Sequence, residues 1–282
     1  MFLTKTTKDL DTIIRNQSFG NQKIGFVATM GALHKGHISL IERSKRENDT
    51  TVCSIFVNPK QFNDKNDLLN YPKPIEKDII ILEEAGCDAL FLPDPEEIYP
   101  KDYKELGIDL GTLETILEGA MRPGHFKGVA LVVKRLFECV KPDKAYFGQK
   151  DFQQTLVVKQ LVKQFNLPID IIVNDILRED NGLAMSSRNV RLKEEHKLNA
   201  GFIYETLLKL KSNALQMSLP DALNIACDEI NKQEGANIEY FEIVDPENLK
   251  KLVSVSENQK AVALIVVNYY GVRLLDNIII NG

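Results

Sequence analysis

The run Lys23 to Thr29, followed by Met30-Gly-Ala-Leu-His-Lys-Gly-His37, constrains the chain more than any other segment. It reads as a buried strand, then a turn over Met30 to Gly36 with a glycine near each end, then a helix from about His37 to Arg46. The same alternation continues. Thr51 to Val57 and Asp88 to Leu92 read as strands, and Pro74 to Glu84 reads as a helix with Pro at its start and Gly86 at its end. Gly128 to Val140 is an apolar-striped helix, Ala145 to Phe147 a strand, Asp151 to Phe165 a helix and Pro168 to Val173 a strand. Strands alternating with helices predict a Rossmann-like α/β fold, a parallel sheet with helices on both faces.

The pattern changes after Asn174. A polar loop with Gly182 and two serines precedes long helices over Lys193 to Met217 and Pro220 to Lys232. Strands near Ile238 to Val244, Ala261 to Asn268 and Arg273 to Ile280 follow. Helices and then consecutive strands predict a smaller C-terminal α+β domain with an antiparallel sheet. The domains are expected at 1–176 and 177–282. A chain of 282 residues with 44% hydrophobic and 27% charged residues has material for such cores.

A net charge of -5 argues against nucleic-acid or anionic-membrane partners. Cys53, Cys87, Cys139 and Cys227 form no C-x-x-C pair, so they read as buried free thiols rather than a zinc ribbon or redox pair. With no apolar signal core at residues 1–8 and no apolar run long enough to span a bilayer, the expected compartment is the cytoplasm.

The turn at Met30 to His37 leaves a strand and opens a helix, where open parallel sheets bind ligands. A helix N-terminus offers unpaired N–H groups to phosphate, and Gly31 and Gly36 allow close backbone approach. His34 and His37 are candidate phosphate donors. H-x-x-H is also compatible with a metal pair, and the octapeptide with a purely structural turn. Asn58 and Gln61 lie in Ser54-Ile-Phe-Val-Asn-Pro-Lys-Gln-Phe62, which runs off the second strand, although Asn-Pro is also a plain turn initiator. Arg122-Pro-Gly-His-Phe-Lys-Gly128 reads as a substrate loop or a long connection.

Gly148-Gln-Lys-Asp151 repeats the strand-to-helix geometry, with Lys150 available to phosphate and Asp151 a candidate N-cap. Gln153 and Gln154 follow, and their amides both donate and accept. Met185-Ser-Ser-Arg188 carries hydroxyls and a guanidinium suited to phosphate, or is a solvated surface loop. No P-loop, G-x-G-x-x-G or G-x-S-x-G string is present, so a P-loop phosphotransferase, a dinucleotide dehydrogenase and an elbow-type hydrolase have no support.

Taken in order, these strings closely resemble the pantothenate synthetases, a family of the nucleotidylyltransferase superfamily related in fold to class I aminoacyl-tRNA synthetases. His34-Lys-Gly-His37 is similar to the HIGH element, and Met185-Ser-Ser-Arg188 to the counterpart of the KMSKS loop. The resemblance runs from about residue 20 to 192. It takes in Thr29-Met-Gly, Tyr71-Pro72, Tyr99-Pro100, Leu117-Glu-Gly119, Arg122-Pro-Gly-His-Phe126, Pro142-Asp143 and Asp180 to Asn189, and returns at Asp276-Asn-Ile-Ile-Ile280. Ala28, Lys73, Gln149 and Leu177 depart from the family pattern. Lys73 cannot make a bidentate fork where Arg is usual.

The resemblance implies ATP-dependent condensation of pantoate with β-alanine through a pantoyl-adenylate, with release of AMP and pyrophosphate and with Mg²⁺ on the β- and γ-phosphates. It implies catalytic roles for His34, His37, Lys150 and Arg188. It further implies an ATP site of Met30, Gly31, Ala32, Leu33, His34, Lys35, Gly36, His37, Gly148, Gln149, Lys150, Asp151, Leu177, Met185, Ser186, Ser187 and Arg188. Pantoate and β-alanine would meet Gln61, Gln154, Asn58, Met30 and Phe62. No protein-held metal is expected, and the partners are small-molecule substrates and a second copy in a homodimer. The alternatives are another HIGH-type adenylyltransferase, whose nucleophile would be a substrate phosphate, and, from a different class, a non-catalytic nucleotide- or metal-binding regulator.

Overall fold

Alternation along the second strand sets the architecture. In the computed structural model, which describes residues 1–17, 22–63, 65–103, 107–256 and 259–281, Phe26 and Val27 are both fully buried. Adjacent strand residues point to opposite faces, so both faces of the sheet are covered. Val27 joins Cys53, Ile55, Leu90 and Tyr146 in one cluster with Leu40, Ile41 and Leu82 from the helices Lys35–Glu47 and Ile75–Glu84. Phe26 meets Phe137 of the helix His125–Val140 edge to face, with ring centroids 6.2 Å apart.

The sheet has six parallel strands: β1 (Phe2–Thr4), β2 (Ile24–Thr29), β3 (Thr50–Ile55), β4 (Ala89–Phe91), β5 (Lys144–Gly148) and β6 (Asp170–Asn174), in the order β1-β4-β3-β2-β5-β6. The chain moves outward from β2 through β3 to β4 and resumes on the other side of β2 with β5. The order reverses between β2 and β5, and such a switch point is where open α/β sheets bind ligands at their carboxyl ends. The segments that leave those two strands are Met30 to His37 and Gln149 to Asp151.

A second unit holds an antiparallel sheet of β7 (Ala236–Val244), β8 (Ala261–Tyr269) and β9 (Val272–Asn281), in that order. Its core joins Phe241, Ile243, Ala263, Ile265, Val267 and Leu274 to Ile203, Leu207 and Leu210 of the helix Phe202–Asn213 and to Ala222, Ala226 and Ile230 of the helix Leu219–Asn231.

The two compact units are 1–148 with 153–174, and 149–152 with 175–282. The sequence expectation is a single division into 1–176 and 177–282. The short segment Gln149–Phe152 groups with the second unit although the strand and helix that flank it in sequence belong to the first.

Several elements differ from the sequence reading. The edge strand β1 and the helix Thr7–Gln17 precede the first expected element; that helix buries only Leu10 and Ile14 of its described side chains, a stripe too narrow to mark it locally. The Lys35–Glu47 helix starts two residues before His37, because His34 caps it. The helix His125–Val140 starts three residues before Gly128, after Gly124 at φ 78°.

The single helix expected over Lys193 to Met217 is two, Glu194–Asn199 and Phe202–Asn213. The Asn181 side chain donates to Lys197 O and Leu198 O at 2.8 Å each and ends the first helix. Gly201 lies so close to Asn181 that a Cβ would stand 2.2 Å from its carbonyl oxygen. No periodicity reveals a break made by a residue twenty positions upstream. The cysteines are free thiols, buried at Cys53, Cys87 and Cys139 and half-buried at Cys227. Among the described residues, no helix is long and apolar enough to cross a membrane.

At the C-terminal end of the Lys35–Glu47 helix, Glu47 accepts from Arg43 Nε (2.8 Å), Lys144 Nζ (3.1 Å) and the Tyr146 hydroxyl (3.0 Å). The Arg43 hydrogen bond is the largest influence that lowers its carboxyl to about 2, with Lys144 and Tyr146 adding to it against the cost of burial. A folded-state value below the unfolded one stabilises the protein above the unfolded value, and that stabilisation is lost as pH falls through the folded value. Glu47→Gln is therefore expected to be less stable than the parent at pH 7, with the gap closing between about pH 4.5 and pH 2. Urea denaturation across that range checks it, and a gap that persists undiminished at pH 2 would count against the ion cluster.

Candidate active site

Beyond Thr29 the chain leaves the ladder, and its amides need new partners. Thr29 Oγ1 donates to Ser54 O (2.8 Å) and accepts from Gly31 N (3.2 Å). The backbone then turns through positive φ at Gly31 (82°) and at Ala32 (51°), the second unusual for a residue with a Cβ. A buried carboxylate holds it there. Asp78, fully buried in the Ile75–Glu84 helix, accepts Ala32 N on Oδ2 and Leu33 N on Oδ1, both at 2.8 Å.

The turn delivers His34 as N-cap of the next helix and His37 as its third residue. Imidazoles stand where Ser and Glu usually form a capping box. His34 Nδ1 accepts from Gly36 N (3.1 Å), and His37 Nδ1 accepts from His34 N (3.3 Å). An Nδ1 that accepts carries no proton, so each neutral ring bears its proton on Nε2. The two rings lie 4.0 Å apart between centroids. No acidic residue occupies the first turn of this helix, and Lys35 is exposed there. The result is a helix N-terminus framed by two imidazole donors, an arrangement suited to a polyphosphate.

A second cluster lies at the end of β3. Asn58 is fully buried: Oδ1 accepts from Lys60 N (3.2 Å) and Tyr99 Oη (2.9 Å), and Nδ2 donates to Gln61 Oε1 and Gly128 O, each at 3.0 Å. Gln61 Nε2 points at Met30 Sδ, 3.1 Å away. A thioether is a weak acceptor, so this donor is well placed to exchange it for a ligand oxygen. The Gln61 carbonyl meets His125 Nδ1 at 2.7 Å and accepts from Arg122 Nη2 at 3.4 Å. Gly128 is required beside it, since a Cβ there would stand 2.2 Å from Lys60 O. Phe62 packs edge to face on Tyr71 at 5.7 Å. Gln153 ties down the 113–118 segment through Glu118 N, Leu113 O and Ile116 O. Its neighbour Gln154 is half-buried on the same helix, Phe152–Gln164.

The second unit carries the remaining expected residues. Gln149, Lys150 and Asp151 form one 3-10 turn after Gly148, with Lys150 Nζ 3.1 Å from Asp151 Oδ1. Leu177 and Met185 face each other across a short hairpin closed by Met185 N to Leu177 O (3.0 Å) and an Arg178–Ala184 bridge. Ser186 caps the 3-10 turn Ser187–Arg191 by accepting from Arg188 N (3.2 Å). Arg178 holds the hairpin by a bidentate pair with Asp276 (2.6 and 2.9 Å), and its guanidinium lies 3.5 Å over the Tyr204 ring. Burial pushes the Asp276 carboxyl up, opposed by the Arg178 hydrogen bonds.

In the first unit, then, the structure brings His34 together with His37, and Met30 together with Asn58 and Gln61. In the second it brings Leu177 beside Met185 and places Ser186, Ser187 and Arg188 in consecutive positions of one capped turn. Among the described residues, no group of three or more His, Cys, Asp or Glu side chains is arranged to hold a metal ion. Sequence reasoning passes over Asp78 and gives Asn277, although it lies in the quoted Asp276 to Ile280 string, no role. In the sequence Asp78 looks like an ordinary first-turn helix acid, and Asn277 like a strand residue.

The profile of the family described as pantoate–β-alanine ligase matches residues 3–279. A protein of Cytophaga hutchinsonii named pantothenate synthetase is 47% identical over 262 residues, 92% of each chain. The crystal structure of pantoate–β-alanine ligase (pantothenate synthetase) from Thermus thermophilus covers 100% of both chains at 39% identity, with a TM-score of 0.93. That of the Francisella tularensis ligase, complexed with beta-gamma ATP and β-alanine, covers 99% of this chain and 98% of its own, at 38% identity and a TM-score of 0.79.

Asp78→Ala should orphan two amides of the Met30 to His37 turn. A buried donor left without its partner costs about 1–3 kcal/mol, so a clear loss of stability is expected by denaturant titration. A change within about 0.5 kcal/mol would show that the carboxylate does not hold the turn.

Proposed function

This chain belongs to the pantoate–β-alanine ligase family, and from that premise we propose that it joins pantoate to β-alanine with ATP through a pantoyl-adenylate. The observation that carries the reading is the imidazole capping box: two rings whose Nδ1 atoms are engaged by backbone amides, at a helix N-terminus with no first-turn acid.

In the first step a pantoate carboxylate oxygen attacks the α-phosphorus of ATP. The new O–P bond forms as the bond to the bridging oxygen breaks, and pyrophosphate leaves. The carboxylate is ionised near pH 7, so the step needs charge neutralisation and in-line placement rather than a base. ATP would enter as its magnesium complex, in which the ion would offset part of the polyphosphate charge.

In this reading Lys150 and Arg188 neutralise phosphate charge and His34 and His37 donate hydrogen bonds to it, assisted by Lys35, Ser186 and Ser187. The backbone of Met30 to Leu33, with Gly36, receives the nucleotide closely; Gly148, Gln149 and Asp151 shape the turn around Lys150, Leu177 meets adenine through its backbone, and Met185 belongs to the same ATP-binding set. Gln61 and Gln154 hold pantoate, Met30 and Phe62 line its dimethyl face, and Asn58 orients Gln61 by its hydrogen bond to Oε1. In the second step the unprotonated β-alanine amine attacks the acyl carbon, the C–O bond to phosphate breaks, AMP leaves and the amine loses a proton. A homodimer working in the cytoplasm belongs to the same reading and rests on family resemblance.

The adenylate is tested with ATP, pantoate and labelled pyrophosphate in the absence of β-alanine. Pantoate-dependent exchange of label into ATP is expected, and the complete reaction should yield AMP. Formation of ADP would mean attack at the γ-phosphorus and would overturn the mechanism.

The pantoate pocket is tested at Gln154. Gln154→Glu places a like charge near the substrate carboxylate, worth about 4 kcal/mol of repulsion at ~4 Å and an effective dielectric of ~20, and less once the new carboxyl takes up a proton. Pantoate affinity should fall more in Gln154→Glu than in Gln154→Ala at pH 7, and the difference should shrink at lower pH. ATP affinity should hold in both. Equal loss of ATP affinity, or none for pantoate, would remove Gln154 from the site.

A further inference from the structure

The closing string Asp276-Asn277 is a family resemblance to which the reaction assigns no part, yet its second residue is 1% exposed and fully engaged. Asn277 Nδ2 donates to Gln149 O and to Lys150 O, each at 3.0 Å, and Oδ1 accepts from Gln149 Nε2 at 3.0 Å. We propose that Asn277 is a positioning residue for Lys150, acting through the backbone on either side of its Cα.

The reason is geometric. The Gln149 and Lys150 carbonyls belong to the two peptide planes that flank the Lys150 Cα. Peptide planes are rigid, so the conformation of a residue is set by the two torsions between them. A single side-chain amide that grips both carbonyls holds both torsions of Lys150 and hence the direction of its Cα–Cβ bond. A lysine stem is long and flexible, and placing its ammonium begins with that direction.

The grip is itself anchored. Asn277 pairs with Leu264 within the β8–β9 ladder, and its backbone N donates to Asp276 Oδ1 at 2.7 Å. Asp276 in turn carries the bidentate bond from Arg178, next to Leu177 at the root of the hairpin that leads to Ser186 and Arg188. The clasp also accounts for the grouping of Gln149–Phe152 with the second unit. The middle of one strand thus holds two of the segments proposed to meet phosphate.

This assignment rests on the proposed role of Lys150 toward ATP phosphate, and a double-mutant cycle separates the two. The proteins are the parent, Asn277→Ala, Lys150→Ala and the double variant. The readouts are kcat for AMP formation, KM for pantoate, and melting temperature. Misplacement of a reacting group by about 1 Å can cost on the order of 10²-fold, so Asn277→Ala should lower kcat by about 10–100-fold with KM for pantoate within about twofold.

In the Lys150→Ala background the same change should cost less than about twofold, because nothing remains to be positioned. Retention of parental kcat by a folded Asn277→Ala, or the same fold-loss with and without Lys150, would overturn the assignment, the second outcome marking a purely structural asparagine. Parental kcat in Lys150→Ala alone would overturn the reading of Lys150 independently of Asn277. Should Asn277→Ala not fold, Gln149→Ala removes the reciprocal hydrogen bond from outside the strand. It should lower kcat several-fold, again only when Lys150 is present, and no change there would likewise reject the clasp.

Discussion

The two hydrogen bonds from Ala32 and Leu33 to the buried carboxylate of Asp78 are the constraint on which the candidate site depends. A strand that ends in the middle of a parallel sheet gives up its ladder at once, and its next amides must be satisfied inside the protein. Asp78 satisfies two of them while the backbone passes through two residues of positive φ. The direction of the chain after Ala32 then makes His34 the cap of the following helix. Each amide has its own carboxylate oxygen, Oδ2 for Ala32 and Oδ1 for Leu33.

The same solution appears in the second unit with an amide in place of a carboxylate. Where the chain leaves β5, Asn277 takes the Gln149 and Lys150 carbonyls, and Gln149 returns a hydrogen bond to it. Donor and acceptor roles are reversed relative to Asp78, as the orphaned groups are carbonyls and not N–H. In both places a residue that looks like ordinary strand or helix filling sets the conformation of a turn whose side chains are proposed to meet phosphate. Asn58 does a third version of this work, bridging Gln61, Gly128 and Tyr99 from one buried amide.

The departures from sequence expectation share this origin. The helices expected to start at His37 and Gly128 begin earlier because capping by His34 and Gly124 has no periodic signature. The break after Asn199 depends on Asn181, whose side chain ends one helix while its carbonyl admits only Gly201. The edge strand β1 is three residues long and is defined by pairing with β4, a contact 87 positions away in register. Gln153 and Gln154 look equivalent in the sequence. Helical rotation sends one into backbone carbonyls and leaves the other half-buried.

By itself the sequence determined the fold class, because strand and helix periodicity and glycine-bounded turns are local patterns, and its resemblance to the pantothenate synthetases implied the family and the residues proposed to bear the chemistry. Only the tertiary structure decided which nitrogen of each histidine accepts, which glutamine is structural, and that a carboxylate from one helix and an amide from the last strand hold the two strand-end turns. The last of those choices, the clasp on each turn, is made by hydrogen bonds between residues 45 to 128 positions apart, and a pattern read along the chain contains no information about which distant side chain will arrive to satisfy a given backbone group.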